Sequence, residues 1–215
     1  MKTNWLNGIT GIVFDFNGTL VFDAYMHVLA WSEISRQLRN KEVTPEENHQ
    51  MSGKNNAVIL NMMKPELTDE ENKALSLKKE AIYREMILKE QLPLVPGVKE
   101  CFDLLKERNL PFTIASASIK ENIDFFVSYY HLDQWINPEH IRYDDGSYQN
   151  KIQMFKDAAE AISSPIESTL IFEDSPTGIR CAYEAGFTRI IQIKKESDPL
   201  IPSANFAIQD FTDLL

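Results

Sequence analysis

The sequence predicts an α/β protein: a doubly wound, parallel-sheet core with an inserted α-helical domain. Three observations carry this. Short apolar runs of strand length recur at 10–14, 111–115, 168–172 and 189–193. Segments of helical period separate the later runs, and strands alternating with helices predict a parallel sheet covered on both faces. Residues 23–92 lack β-branched runs and read as helical throughout.

The first strand, Gly11-Ile12-Val13-Phe14, leads directly into Asp15-Phe16-Asn17-Gly18-Thr19-Leu20. In the helical block, 68–90 is the longest candidate, with Thr68 and Glu71 forming a capping box. Pro65 and the run Pro93-Leu94-Val95-Pro96-Gly97 punctuate the block, and the chain returns to the sheet near residue 95. The core is therefore expected over 1–20 and 95–215, and the helical domain over 21–94. Helix 98–108 carries Val98, Cys101, Phe102, Leu104 and Leu105 at helical spacing, and helix 151–162 carries Ile152, Phe155, Ala159 and Ile162. For 175–185, Ser175 fits the N-cap, Pro176 the first helical position and Gly186 the residue past the end.

The 215-residue chain has a net charge of -10, which argues against nucleic acid and anionic membrane as main partners. It does not exclude an anionic small substrate, because a metal ion and a few local cations reverse the field within one cleft. The two cysteines, Cys101 and Cys181, lack ligand spacing and read as buried thiols of a reducing compartment. No signal peptide or membrane span is visible, so a cytoplasmic protein is expected.

Four separated elements read as one site. Asp15 ends the first strand, Ser116 closes Phe112-Thr113-Ile114-Ala115, Lys151 opens a helix, and Glu173-Asp174 close a further strand. In a parallel sheet these strand ends share one rim, where ligands of such sheets bind. The set suits phosphoryl transfer through an aspartyl-phosphate. Asp15 would attack phosphorus. Mg²⁺ held by Asp15 and Asp174 would bridge two anions that otherwise repel. Lys151 would add positive charge, Ser116 and Thr19 hydroxyl donors, and the 16–19 turn backbone N–H groups.

These residues resemble the haloacid dehalogenase superfamily of phosphotransferases over nearly the whole chain. Asp15-Phe16-Asn17-Gly18-Thr19 is similar to its first motif, Ser116 to its second, Lys151 to its third, and Glu173-Asp174-Ser175 with Gly178 to its fourth. Lys156 competes with Lys151, since Ile152 stands where many relatives have Pro. The helical block resembles the small cap of the branch containing β-phosphoglucomutase. The resemblance implies a Rossmann-like core, the Asn17 carbonyl and Glu173 near the metal, and substrate contacts from Gly18, Thr19, His27, Gly53, Lys54, Ala117 and Ser118. Lys120 is a further candidate for the phosphate, and Asp23 reads as a hinge residue or a helix N-cap.

One residue departs from the pattern. The family's phosphatases and mutases carry Asp where this chain has Asn17, and that Asp serves as general acid and base. An amide does neither at neutral pH. Three outcomes stand open: a slow enzyme using another acid such as His27, a long-lived aspartyl-phosphate, or a phosphate-ester binding protein. Deamidation at Asn17-Gly18 would restore the Asp, unless a rigid turn suppresses it. The expected function is Mg²⁺-dependent phosphoryl transfer from a small phosphorylated metabolite, a sugar phosphate first, by a monomer. A sugar-phosphate mutase is the alternative.

Overall fold

A computed structural model describes residues 4–51 and 54–215. The described chain divides into two compact units, Met1–Phe22 with Pro93–Leu215, and Asp23–Leu92.

The first unit is built on six strands: β1 (Gly11–Phe14), β2 (Phe112–Ile119), β3 (Arg142–Asp144), β4 (Thr169–Glu173), β5 (Arg189–Ile193) and β6 (Phe206–Ile208). They form one parallel sheet in the order β3-β2-β1-β4-β5-β6. The second unit holds α1 (Ala24–Arg39), α2 (Pro45–Met51), α3 (Asn56–Met63) and α4 (Asp69–Glu90). The first unit's helices are α5 (Val98–Glu107), α6 (Lys120–Tyr130), α7 (Lys151–Ala161) and α8 (Pro176–Glu184).

Side-chain alternation along each strand decides what covers each face. Val13, Ala115 and Ile171 bury one face against Met154, Phe155 and Ala158 of α7 and Ile179 of α8. Phe14 and Phe172, one residue further on, turn to the other face and stack at 4.9 Å between ring centroids. Phe102 of α5, Phe112 and Phe211 close around Phe14 at 5.2, 6.0 and 5.9 Å. In the second unit, Trp31, Ile34, Met51, Ile59, Leu60 and Met63 form the core.

Local signals set the helix ends. Thr68 accepts from the Glu71 N–H while Glu71 accepts from the Thr68 N–H, completing the capping box. Ser175 accepts from the Gly178 N–H, with Pro176 at the first helical position. Asn150 accepts from the Ile152 N–H and starts α7 at Lys151. At the edge of the first unit, Leu20 O accepts from the Val95 N–H at 2.9 Å.

Four elements differ from the sequence expectation. β2 runs on to Ile119, so Ser116 lies within the strand, at a register shift between Ser116 and Ile119. β3 and β6 are three-residue edge strands, too short for a period, and neither is uniformly buried. Helix α6 follows β2 directly, where no helix stood in the sequence reading.

Phe14 has no exposed surface and four aromatic neighbours. Phe14→Ala is expected to lower stability by about 3–5 kcal/mol, measured as a lower urea midpoint; a loss of well under 1 kcal/mol would show that the aromatic cluster does not hold this face.

Candidate active site

Strand order builds the site. β1 lies between β2 and β4, with Phe14 opposite Ile114 on one side and Phe172 on the other. The next residues at the carboxyl ends are therefore neighbours: Asp15, then Ser116 two beyond Ile114, and Glu173 with Asp174. The Asp15 N–H continues the ladder by donating to Phe172 O at 2.9 Å.

After Asp15 the chain makes a compact turn. Phe16 O accepts from the N–H groups of Thr19, Leu20 and Val21, while the Gly18 N–H donates to Val21 O at 2.8 Å. Phe16 is buried and stacks on Phe126 of α6. Gly18 has φ +80, the left-handed region, and a Cβ there would lie 2.2 Å from Asp174 Oδ2. Gly178 plays the same part at α8, where a Cβ would meet the Glu173 carboxylate at 2.2 Å. Both glycines admit a carboxylate that any side chain would displace.

Charge dominates the rim. Carboxylate oxygens of Asp15, Glu173 and Asp174 lie within 4.8 Å of one another. The Lys151 ammonium donates to Asp15 Oδ1 at 2.5 Å and to Glu173 Oε2 at 2.7 Å. Lys151, and not Lys156, is thus the lysine that reaches these groups. Glu173 has no exposed surface. Its Oε1 accepts from the Ser175 N–H and hydroxyl at 3.0 and 2.8 Å, so both oxygens are engaged. Burial, then the charge of Glu173, pushes the Asp15 carboxyl up to about 7 despite Lys151. Burial, then Glu173 and Asp15, pushes Asp174 up to about 9. For Lys151, burial favours the neutral amine, but the two carboxylates outweigh it together and hold the ammonium above its ordinary range. Three acids against one base leave an excess of acidic groups, which hold protons to unusually high pH and whose hard oxygen donors fit a divalent cation such as Mg²⁺ in place of those protons.

Asn17 sits beside this cluster. Its Oδ1 accepts from the Ser118 hydroxyl at 2.7 Å and from the Ser116 hydroxyl at 3.4 Å. The β2 register shift makes this possible: Ser116 is buried, Ala117 is exposed, and Ser118 turns back, half-buried, toward Asn17. Thr19 has no exposed surface, and its Oγ1 is a buried hydroxyl without a hydrogen-bond partner. Lys120 pairs with Asp124 at 2.6 Å on an exposed face of α6.

The other candidates belong to the helical unit. Gly53 lies outside the described residues, and Lys54 is exposed just before α3. His27 on α1 stacks on Tyr83 of α4 at 4.2 Å, and its Nδ1 lies 2.7 Å from the Lys79 ammonium. Asp23 places no side-chain cap on α1; its carboxylate accepts from the Tyr83 hydroxyl and faces His27 Nε2 at 3.4 Å. Lys79 is buried, donates to Glu80 Oε1 at 2.9 Å, and lies over the Trp31 ring. The sequence reading missed Lys79, Glu80 and Tyr83. The available signal was a lysine at position i of an i, i+4, i+8 stripe with Tyr83 and Ile87.

The sequence model of the haloacid dehalogenase-like hydrolases matches residues 9–186, which include every element of the rim. The chain belongs to this family. It is similar to a haloacid dehalogenase family IA hydrolase, variant 3, from Entamoeba histolytica, at 31% identity and TM-score 0.90, covering 96% of each chain. CbbY from Rhodobacter sphaeroides, solved in complex with phosphate, shares the fold at 17% identity and TM-score 0.82, again with 96% of each chain covered. So does β-phosphoglucomutase from Clostridium difficile, at 18% identity and TM-score 0.79, over 96% of this chain and 93% of that one. The haloacid dehalogenase-like fold thus accounts for the parallel sheet and its α-helical coverings.

Two expectations follow. Asp15 and Asp174 hold their protons to higher pH in the folded state than their ordinary 3.8, to about 7 and about 9. The folded form therefore binds more protons across that window, and the stability of cation-free protein falls as pH rises through it. Lys151 is charged in both states there and adds no slope. Melting in EDTA should accordingly be higher near pH 5 than near pH 8, and added Mg²⁺ should raise it more at pH 8. A melting temperature in EDTA that climbs with pH would contradict the charge excess. Asn17-Gly18 should also resist deamidation, because the attacking Gly18 N–H is bound to Val21 O and the carboxamide is held by Ser118. Peptide mapping of aged protein should find Asn17 unchanged; Asp or isoaspartate accumulating as fast as in the unfolded chain would show the turn to be loose.

Proposed function

We propose that this hydrolase transfers a phosphoryl group from a small phosphorylated metabolite to the Asp15 carboxylate. The observation that carries the reading is the Lys151 ammonium bound between Asp15 and Glu173, with Asp174 and Ser116 on the same rim. A phosphoryl oxygen meeting that rim finds a buried cation next to the attacking carboxylate. The names of two relatives, one a β-phosphoglucomutase and one solved with phosphate, agree with the chemistry.

Asp15, Asp174 and the Asn17 main-chain carbonyl would hold Mg²⁺. Glu173 is better suited to fixing Lys151, since its oxygens are already engaged. Bound there, the ion would neutralise charge on the transferring phosphoryl group. Lys151 orients and neutralises the same group, and the Ser116 hydroxyl is placed to donate to it. The helical unit is read as the family's cap, which selects substrates. A phosphatase passes the phosphoryl group on to water and a mutase to a second hydroxyl of a sugar phosphate; the residues named here serve both. The two buried free thiols agree with a cytoplasmic protein, and a monomer is proposed by analogy.

The test is Mg²⁺-dependent release of inorganic phosphate from sugar phosphates and from an activated aryl phosphate. Asp15→Ala and chelation should each reduce release to background, and Lys151→Ala should lower it by about 10²–10³-fold. Equal release by wild type and Asp15→Ala would remove the proposal.

A further inference from the structure

Asn17 decides which phosphate compounds this site can open. We propose that the site is selective for donors whose leaving group departs as a stable anion, acyl phosphates above all, and that it accumulates phosphorylated Asp15. The inference rests on the phosphotransferase reading above and narrows its donor from sugar monoesters to phosphoric anhydrides of carboxylic acids and to activated esters.

The groups at the rim are already committed. Asp15 is the attacking carboxylate. Lys151 is bound to Asp15 and Glu173, and Glu173 accepts from Lys151 and Ser175 through both oxygens. Asp174 belongs to the cation-binding set. Position 17 carries a carboxamide whose oxygen faces two serine hydroxyls, Ser118 at 2.7 Å and Ser116 at 3.4 Å. Whichever end of the carboxamide meets the serine hydroxyls, an amide has no proton to release at neutral pH. The residue can hold a leaving oxygen by hydrogen bonding, but cannot protonate it.

The chemistry then sorts the donors. An Asp15 oxygen forms a bond to phosphorus, and the bond from phosphorus to the leaving oxygen breaks, with its electron pair going to that oxygen. From an acyl phosphate the product is a carboxylate, which needs no proton. From a sugar monoester it is an alkoxide, a strong base that leaves slowly without an acid. General acid catalysis contributes about 10²–10⁴-fold, and that factor is lost for alkyl donors alone. In the second step water adds its oxygen to phosphorus and the bond to Asp15 breaks, returning the carboxylate. The water proton passes to the departing phosphate itself, since Asn17 cannot accept it. This step is slow for every donor, so the phosphorylated carboxylate persists.

The experiment follows the intact-protein mass and Asp15 peptide of wild type and Asn17→Asp in Mg²⁺, using acetyl phosphate, aryl phosphates of graded phenol acidity and glucose 6-phosphate. Wild type should gain one phosphoryl group on Asp15 from acetyl phosphate, more slowly as the phenol becomes less acidic, and hardly at all from the sugar phosphate. Asn17→Asp should phosphorylate from the sugar phosphate about 10²–10⁴-fold faster, so that the preference for acetyl phosphate over the sugar phosphate narrows, and should shed the group sooner. Wild-type labelling that is equally fast from the sugar phosphate and acetyl phosphate would overturn the inference, whether or not the variant folds. Labelling of Asn17→Asp alone would overturn it too, leaving the scaffold's phosphotransferase chemistry intact in the variant. No labelling of Asp15 in either protein, from any donor, would remove the phosphotransferase reading and this inference together.

Discussion

The ammonium of Lys151 is the interaction on which the rim depends. Without it, three carboxylates at the ends of β1 and β4 would face one another in a buried space, where like charges repel strongly. The lysine bridges Asp15 and Glu173 and ties the first turn of α7 to both strands. Glu173 then joins Lys151 to the start of α8 through Ser175. One cation thus orders two helix starts and two strand ends. The charge left over is what makes the rim receptive to a divalent ion.

The surroundings of Asn17 combine departure with accommodation. Two serine hydroxyls point at its oxygen, an arrangement that would suit a carboxylate oxygen equally well. The backbone of the turn, with Gly18 at positive φ and Phe16 O accepting three N–H groups, does not depend on the charge of that side chain. An acid in place of the amide would therefore meet the same hydroxyls, and the turn around it would keep its hydrogen bonds. Chemistry and architecture are separable at this position because hydrogen bonds hold the residue, not ion pairing.

Much of the fold was legible because its signals are local. The strands β1, β4 and β5 each carry a short apolar stretch, and the starts of α4 and α8 follow from Thr68, Glu71, Ser175 and Pro176. β3 and β6 were not legible, since three residues at a sheet edge carry neither a period nor full burial. At the site, the sequence showed carboxylates after strands and a lysine opening a helix. It did not show that Lys151 would be shared with Glu173, nor that the β2 register shift would bring Ser118 onto Asn17. Such contacts depend on strand order and on where a ladder slips, and neither is written in the spacing of residues along the chain. Lys79 was missed for a related reason. A lysine in a polar helix reads as solvated until its partners, Glu80 beside it and His27 on another helix, are known.

The hydrogen bond from Val95 to Leu20 has a wider consequence. It holds together the two points where the chain leaves the sheet unit and returns to it. The ends of the inserted segment are fixed by the core itself, so the sheet need not wait for the insert to define its geometry. Loop-closure entropy grows only slowly with length, so such a neck accepts a longer, shorter or foreign insert at little thermodynamic expense. The architecture is a socket: the parallel sheet closes its own rim at Leu20 and Val95, and the segment between them is held by its two ends.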